Sequence, residues 1–167
     1  MKKILLIILA FTMSYAVNAQ LQTPAPSPAS KVEQKVGLTD ITIDYSRPGV
    51  KGRKIFGGLE QFGKVWRTGA NARTKITFSD DITFAGQEVK AGTYAIFTIP
   101  GEKNWEVYLY TEHQGNGAPQ TLDESKIAAK ATVEAMPIPF VVETFTIDIN
   151  NIRDASANLD IMWEQTY

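Results

Sequence analysis

The side chains best suited to recognition chemistry are gathered in one stretch. Between Ser46 and Phe78 lie eight basic residues, Arg47, Lys51, Arg53, Lys54, Lys64, Arg67, Arg73 and Lys75, against a single acid, Glu60. From Ser79 to Tyr167 the balance reverses to five basic and fourteen acidic residues. Within the basic stretch the run Gly63-Lys64-Val65-Trp66-Arg67-Thr68-Gly69-Ala70-Asn71 reads as a presenting loop. The planar fork of Arg67 suits a carboxylate or phosphate. Asn71 both donates and accepts, as sugar hydroxyls and amides require. Glycines at 63 and 69 let backbone amides approach a ligand. Pro48 denies the ladder a donor and holds Arg47 extended, so Arg47 is expected at the rim of the strand it ends.

The expected ligand-binding set is therefore Arg47, Lys64, Trp66, Arg67, Thr68 and Asn71, with Tyr94 beside Trp66 as wall or support. The competing reading is structural. Trp66 would fill core, and the arginines would tie the loop to the acidic half of the chain; for Arg47 that tie is the simpler account. Lys51, Arg53 and Lys54 read as a solvated turn that steers an acidic partner. Tyr108 and Tyr110 share a strand face with Glu106, and exposure of that pair would mark a binding face.

Other chemistries are poorly supplied. With one histidine, His113, and no cysteine, a zinc or copper site lacks ligands, and a Ser-His-Asp triad would have to use a loop histidine. There is no Gly-x-Ser-x-Gly elbow and no phosphate-cradling glycine loop before a helix. The oxygens of Asp148 to Asp154 lack the glycine and terminal glutamate of an EF-hand and read as a turn. No cofactor and no metal are expected.

The elements that would position these residues are strands. Ile41, Ile43 and Tyr45 alternate with Asp40, Thr42 and Asp44; the same period of two runs through Lys75–Phe78, Trp105–Tyr110, Ile127–Val133, Thr144–Ile149 and Asn158–Trp163. Tyr94–Ile99 is rich in aromatic and branched residues. Such alternation gives each strand one apolar face. Ala85-Gly86, Ala91-Gly92, Pro100-Gly101 and Gly115-Asn116-Gly117 punctuate the strands as turns. Helical turns are expected only near Thr121–Glu124 and Ile55–Gln61. The fold class is all-β: an antiparallel β-sandwich, jelly-roll-like, of about nine strands, with a small closed barrel as the alternative.

The first nineteen residues carry Lys2 and Lys3, an apolar run from Ile4 to Ala10, and small residues at Val17-Asn18-Ala19. This is the pattern of a secretory signal, too short in its apolar part to span a bilayer. Cleavage after Ala19 leaves 148 residues (167 minus 19) with fifteen basic and eighteen acidic side chains, a charge of −3. That suits one exported domain and disfavours a nucleic-acid partner. No membrane span is expected after cleavage. Residues 20–30, with Pro24, Pro26 and Pro28, read as an extended tether, with the domain over 31–167.

Several motifs resemble a family of exported bacterial proteins catalogued as domain of unknown function 2911. They are Leu38–Pro48, Lys51–Gly57, Gly63–Asn71, Ala91-Gly92-Thr93-Tyr94 with Ile99-Pro100, and Glu143–Ile147. The resemblance runs from about Ser30 to Trp163. It implies an exported all-β domain without an established activity, and it brings no catalytic residues. The expected function is a non-enzymatic binding module for an anionic or polyhydroxylated small molecule, such as a glycan, or for an acidic partner. A hydrolase or isomerase would instead need a carboxylate of raised pKa near Arg67. A structural envelope protein would bury Arg67 against an acid.

Overall fold

The computed structural model describes residues 23–167; the expected signal sequence lies outside the described residues. Ten strands follow in order: β1 Ala29–Val36, β2 Thr39–Ser46, β3 Lys75–Phe78, β4 Ile82–Phe84, β5 Gln87–Val89, β6 Gly92–Ile99, β7 Asn104–Tyr110, β8 Ile127–Glu134, β9 Pro137–Asn150 and β10 Asn158–Thr166. One 3-10 turn, Glu124–Lys126, is capped by Asp123, whose carboxylate accepts from the Ser125 amide. The expected turn at Ile55–Gln61 forms, but without helix. β1 starts at Ala29, inside the segment read as tether. The end of that segment lies on the domain: the Pro28 carbonyl accepts from the Arg47 amide, and Ser27 from the Asn71 side chain.

Every pairing is antiparallel. Six strands form one sheet in the order β1-β2-β3-β6-β7-β8; β9 and β10 form a ribbon, and β4 and β5 a short hairpin. The ribbon packs over the large sheet, and the alternating inward residues meet between them. Ile43, Ile76, Ile96 and Leu109 from the sheet and Phe145, Ile147 and Trp163 from the ribbon are fully buried. The core is aromatic at one end. Trp66 and Trp163 stack with centroids 5.7 Å apart, and Phe56, Trp105 and Phe145 pack edge-on around them.

The large sheet is covered on its other face as well. Ala95, Phe97, Tyr108 and Tyr110 form a second cluster, closed over by Val65, Leu122 and Ile127. β6 and β7 are thus buried on both faces, which is why Tyr94–Ile99 is an apolar run rather than an alternating one. Tyr108 and Tyr110 are core and not an exposed pair. Burial and the 2.8 Å hydrogen bond to Glu106 push the Tyr108 hydroxyl up to about 12.

The two long sides of the sandwich differ. On one, the chain leaving β2 pairs with β9: the Phe145 amide donates to the Pro48 carbonyl (2.9 Å) and the Val50 amide to Glu143 (2.8 Å). β9 breaks register with β10 at this place to make that turn. On the other side β8 and β10 are not paired with each other, and the short β4–β5 hairpin lies there against β8. The fold is therefore a sandwich closed along one side and open along the other.

Candidate functional site

Strands β8 and β10 part from a common end. The Met136 and Tyr167 backbones exchange hydrogen bonds there (2.8 and 2.9 Å). Below that junction a cleft of about 510 Å³ opens between the sheets. Trp105 and Val107 of β7 and Ala131 and Val133 of β8 form one wall, and Leu159 and Ile161 of β10 the other. The volume is that of a small-molecule site. The room comes partly from side-chain size: β8 sets Ala131 on the cleft beside Val107 of β7.

Of the polar residues on this cleft, Asn158, Thr166 and Tyr167 are neutral. Its charged lining residues are Glu134 and Asp160, both acids. Asp160 is nearly buried and accepts from the Tyr167 hydroxyl (2.8 Å) and the Asn150 amide (2.9 Å). The bond to Asp160, together with burial, raises the Tyr167 hydroxyl above its ordinary range. A second cavity of about 500 Å³ lies across the hairpin, between β1–β3 and the turn joining β9 to β10, among Val36, Ile41, Ile76, Phe78, Ile149 and Leu159; its charged lining residue is Asp81.

The residues singled out from sequence are placed differently. Trp66 is 2% exposed and Thr68 fully buried. Trp66 exchanges backbone hydrogen bonds with Thr98 (2.8 and 3.0 Å), as an added rung beside β6, and its indole donates to the Gly69 carbonyl (3.1 Å). Tyr94 is also buried, its hydroxyl donating to Lys90 (2.8 Å). These three are core and cannot act as a wall facing solvent. Thr68 holds φ +55°, unusual for a branched residue. Local bonds fix it there: its carbonyl accepts from the Thr74 hydroxyl (2.6 Å), and its own hydroxyl donates to that of Thr98 (3.2 Å).

Arg47 is a tie, though not to an acid. Its Nε donates to the Phe145 carbonyl (2.8 Å) and its terminal nitrogen to the Thr146 hydroxyl (2.8 Å), fastening β2 to β9. Asn71 is exposed and bound to Ser27 and Ser46, and Lys64 is exposed. Arg67 is half-buried, and its Nε is buried without a hydrogen-bond partner. The guanidinium that shares its surroundings is that of Arg53 rather than Arg47. Both act on Glu60, the lone acid of the basic stretch. Burial pushes the Glu60 carboxyl up to about 7, against the opposing pull of Arg67 and Arg53. Sequence reading passed over Glu60, although an isolated acid among eight bases was the available signal.

Fold and cleft together define an all-β sandwich with a largely apolar cleft where β8 and β10 part. Residues 27–167 match the family described as "Protein of unknown function (DUF2911)", and the chain belongs to that family. No curated protein and no solved structure matches the chain.

Proposed function

We propose that this protein is an exported, non-enzymatic binding module that takes an elongated, mainly apolar small molecule, uncharged or cationic, into the cleft between β8 and β10. The observation that carries this reading is the lining: apolar walls around about 510 Å³, with carboxylates as the charged groups. An apolar body gains by leaving water. A carboxylate or sulfate ligand would meet Glu134 and Asp160 and be repelled, whereas an ammonium would be drawn in. Export rests on the leader-like first nineteen residues. The experiment is titration calorimetry with dodecyltrimethylammonium and dodecyl sulfate, each below its micelle concentration, repeated on Ala131→Phe to fill the cleft. The cation should bind at least tenfold more tightly than the sulfate, and Ala131→Phe should abolish binding. Equal affinity for the two ions, or binding unaffected by Ala131→Phe, would overturn the proposal.

A second reading places an anionic or hydroxyl-bearing ligand, or an acid-base reaction on one, at Arg67. It is favoured by the unpartnered Arg67 Nε and by a carboxyl at about 7 beside it. Inorganic phosphate and glucuronate are the probes. Thermal stabilisation by either that Arg67→Met removes would support this reading over the first, and no stabilisation would dismiss it.

A further inference from the structure

The two cavities are separated by one small element. The β4–β5 hairpin lodges between the large sheet and β10, and Phe84 and Ala85 line both cavities, as do Asn158 and Leu159 of β10. We infer that the cavities are two halves of one channel for a single unbranched chain, and that the hairpin is the moving part that joins them. This rests on the cleft being a ligand site.

The hairpin is built lightly. Each of its strands has three residues, and an isolated pair of this length is marginal in water. Its turn, Ala85-Gly86, has positive φ at both positions (+48° and +82°), the conformation of a tight two-residue hairpin that favours asparagine and glycine. Alanine at the first position is strained there; the residue is exposed at the tip and lines both cavities.

Val89 anchors the hairpin in the main core, with Ile82 and Phe84 packed beside it, and polar contacts hold it at two places. At its base Asp81 accepts from the Lys90 ammonium (2.7 Å) and the Ala91 amide (2.8 Å). Near its tip the Gln87 side-chain amide accepts from the Lys130 backbone N–H (3.3 Å) and donates to its carbonyl (2.5 Å). Gln87 thereby occupies the free edge of β8 as a neighbouring strand would. The base is fixed by buried Val89 and the Asp81–Lys90 pair, suited to a hinge, and the tip is fastened by one neutral side chain, suited to a latch. Opening the latch removes Phe84 and Ala85 from between the cavities without disturbing β6 or β7.

The ligand class follows. A bulky or fused-ring molecule fits one cavity and has no use for the other. A flexible linear chain can lie along both, its charge-free or cationic end near Asp81 or near Glu134 and Asp160.

The test uses the intact protein and alkyltrimethylammonium ions of eight, twelve and sixteen carbons below their micelle concentrations, with hydrogen exchange on the free protein. The hairpin amides should exchange about a hundredfold faster than those of β6 and β7, as a separately opening unit does. Affinity should keep rising from twelve to sixteen carbons. Gln87→Ala should raise association and dissociation rates together by at least fivefold, as expected when a gate limits both. If none of the three ions binds, the cleft is not a site for this class and the binding proposal itself fails. If the twelve-carbon ion binds but sixteen carbons gain nothing over it, or the hairpin exchanges as slowly as β6, the channel fails and the simple cleft stands. The chain-length series and the exchange measurement need no variant, so they decide the matter even where Gln87→Ala folds poorly.

Discussion

Glu60 sets a pH dependence whose sign and size follow from its surroundings. Its carboxyl is raised from 4.5 to about 7 in the folded protein, first by burial and against the pull of Arg67 and Arg53. A folded-state value above the unfolded one means that the native state favours the protonated acid. The stabilisation is complete below about 4.5 and is lost as pH rises through about 7. A displacement of this size corresponds to roughly 3 kcal/mol if taken whole. The side chain keeps part of its solvent contact, so about 1.5 kcal/mol is the expected effect. Glu60→Gln is the perturbation, since a neutral amide imitates the protonated acid at every pH. Urea unfolding at pH 4 should give wild type and Glu60→Gln nearly the same free energy. At pH 8 Glu60→Gln should be the more stable by about 1.5 kcal/mol. Other titrating groups are common to both proteins and cancel in the difference. If the two stability curves stay parallel from pH 4 to pH 8, the carboxyl is not raised and the reasoning is wrong.

Three further outcomes separate structural from spare polar groups. Arg47→Met removes both bonds from β2 to β9 and should cost about 2–3 kcal/mol in urea unfolding, because the Phe145 carbonyl loses its donor. Arg67→Met loses no hydrogen bond at Nε and should lie within about 1 kcal/mol of wild type in the same measurement. Gly69→Ala should cost roughly 2–4 kcal/mol by thermal unfolding, because a Cβ there would sit 2.9 Å from the Thr74 hydroxyl and 3.1 Å from the Ser46 carbonyl at φ +149°.

The strands with clean alternation were legible in the sequence because burial on one face leaves a period of two. β1 was not, since Lys31, Glu33 and Lys35 outweigh Val32 and Val36 on an edge strand with little to bury. The first half of β9 was missed for a related reason: Phe140 and Val141 are exposed there, and Pro137 and Pro139 interrupt the pattern. Trp66 shows the limit of a motif read without neighbours. Glycines and charges around it suggest a presenting loop, but the rung it makes with Thr98 turns the indole into core. The cleft was hidden for a deeper reason. Trp105, Val107, Leu159 and Ile161 occupy inward positions like any core residue, and what makes them a wall is that β8 and β10 do not pair. Absence of a pairing leaves no mark on either strand's own pattern. Ala131 was the one readable trace, as a small side chain where bulk was expected.

The chain's three tryptophans, Trp66, Trp105 and Trp163, all lie in the space between the two sheets, each at most 5% exposed. The whole indole emission of the protein therefore originates in that one layer. Its wavelength and its resistance to a dissolved quencher gauge how tightly the ribbon sits on the large sheet, and fraying of β1 or loosening of the smaller core around Phe97 leaves them unchanged. The fold thus contains its own optical gauge of the separation of its layers, readable without a label.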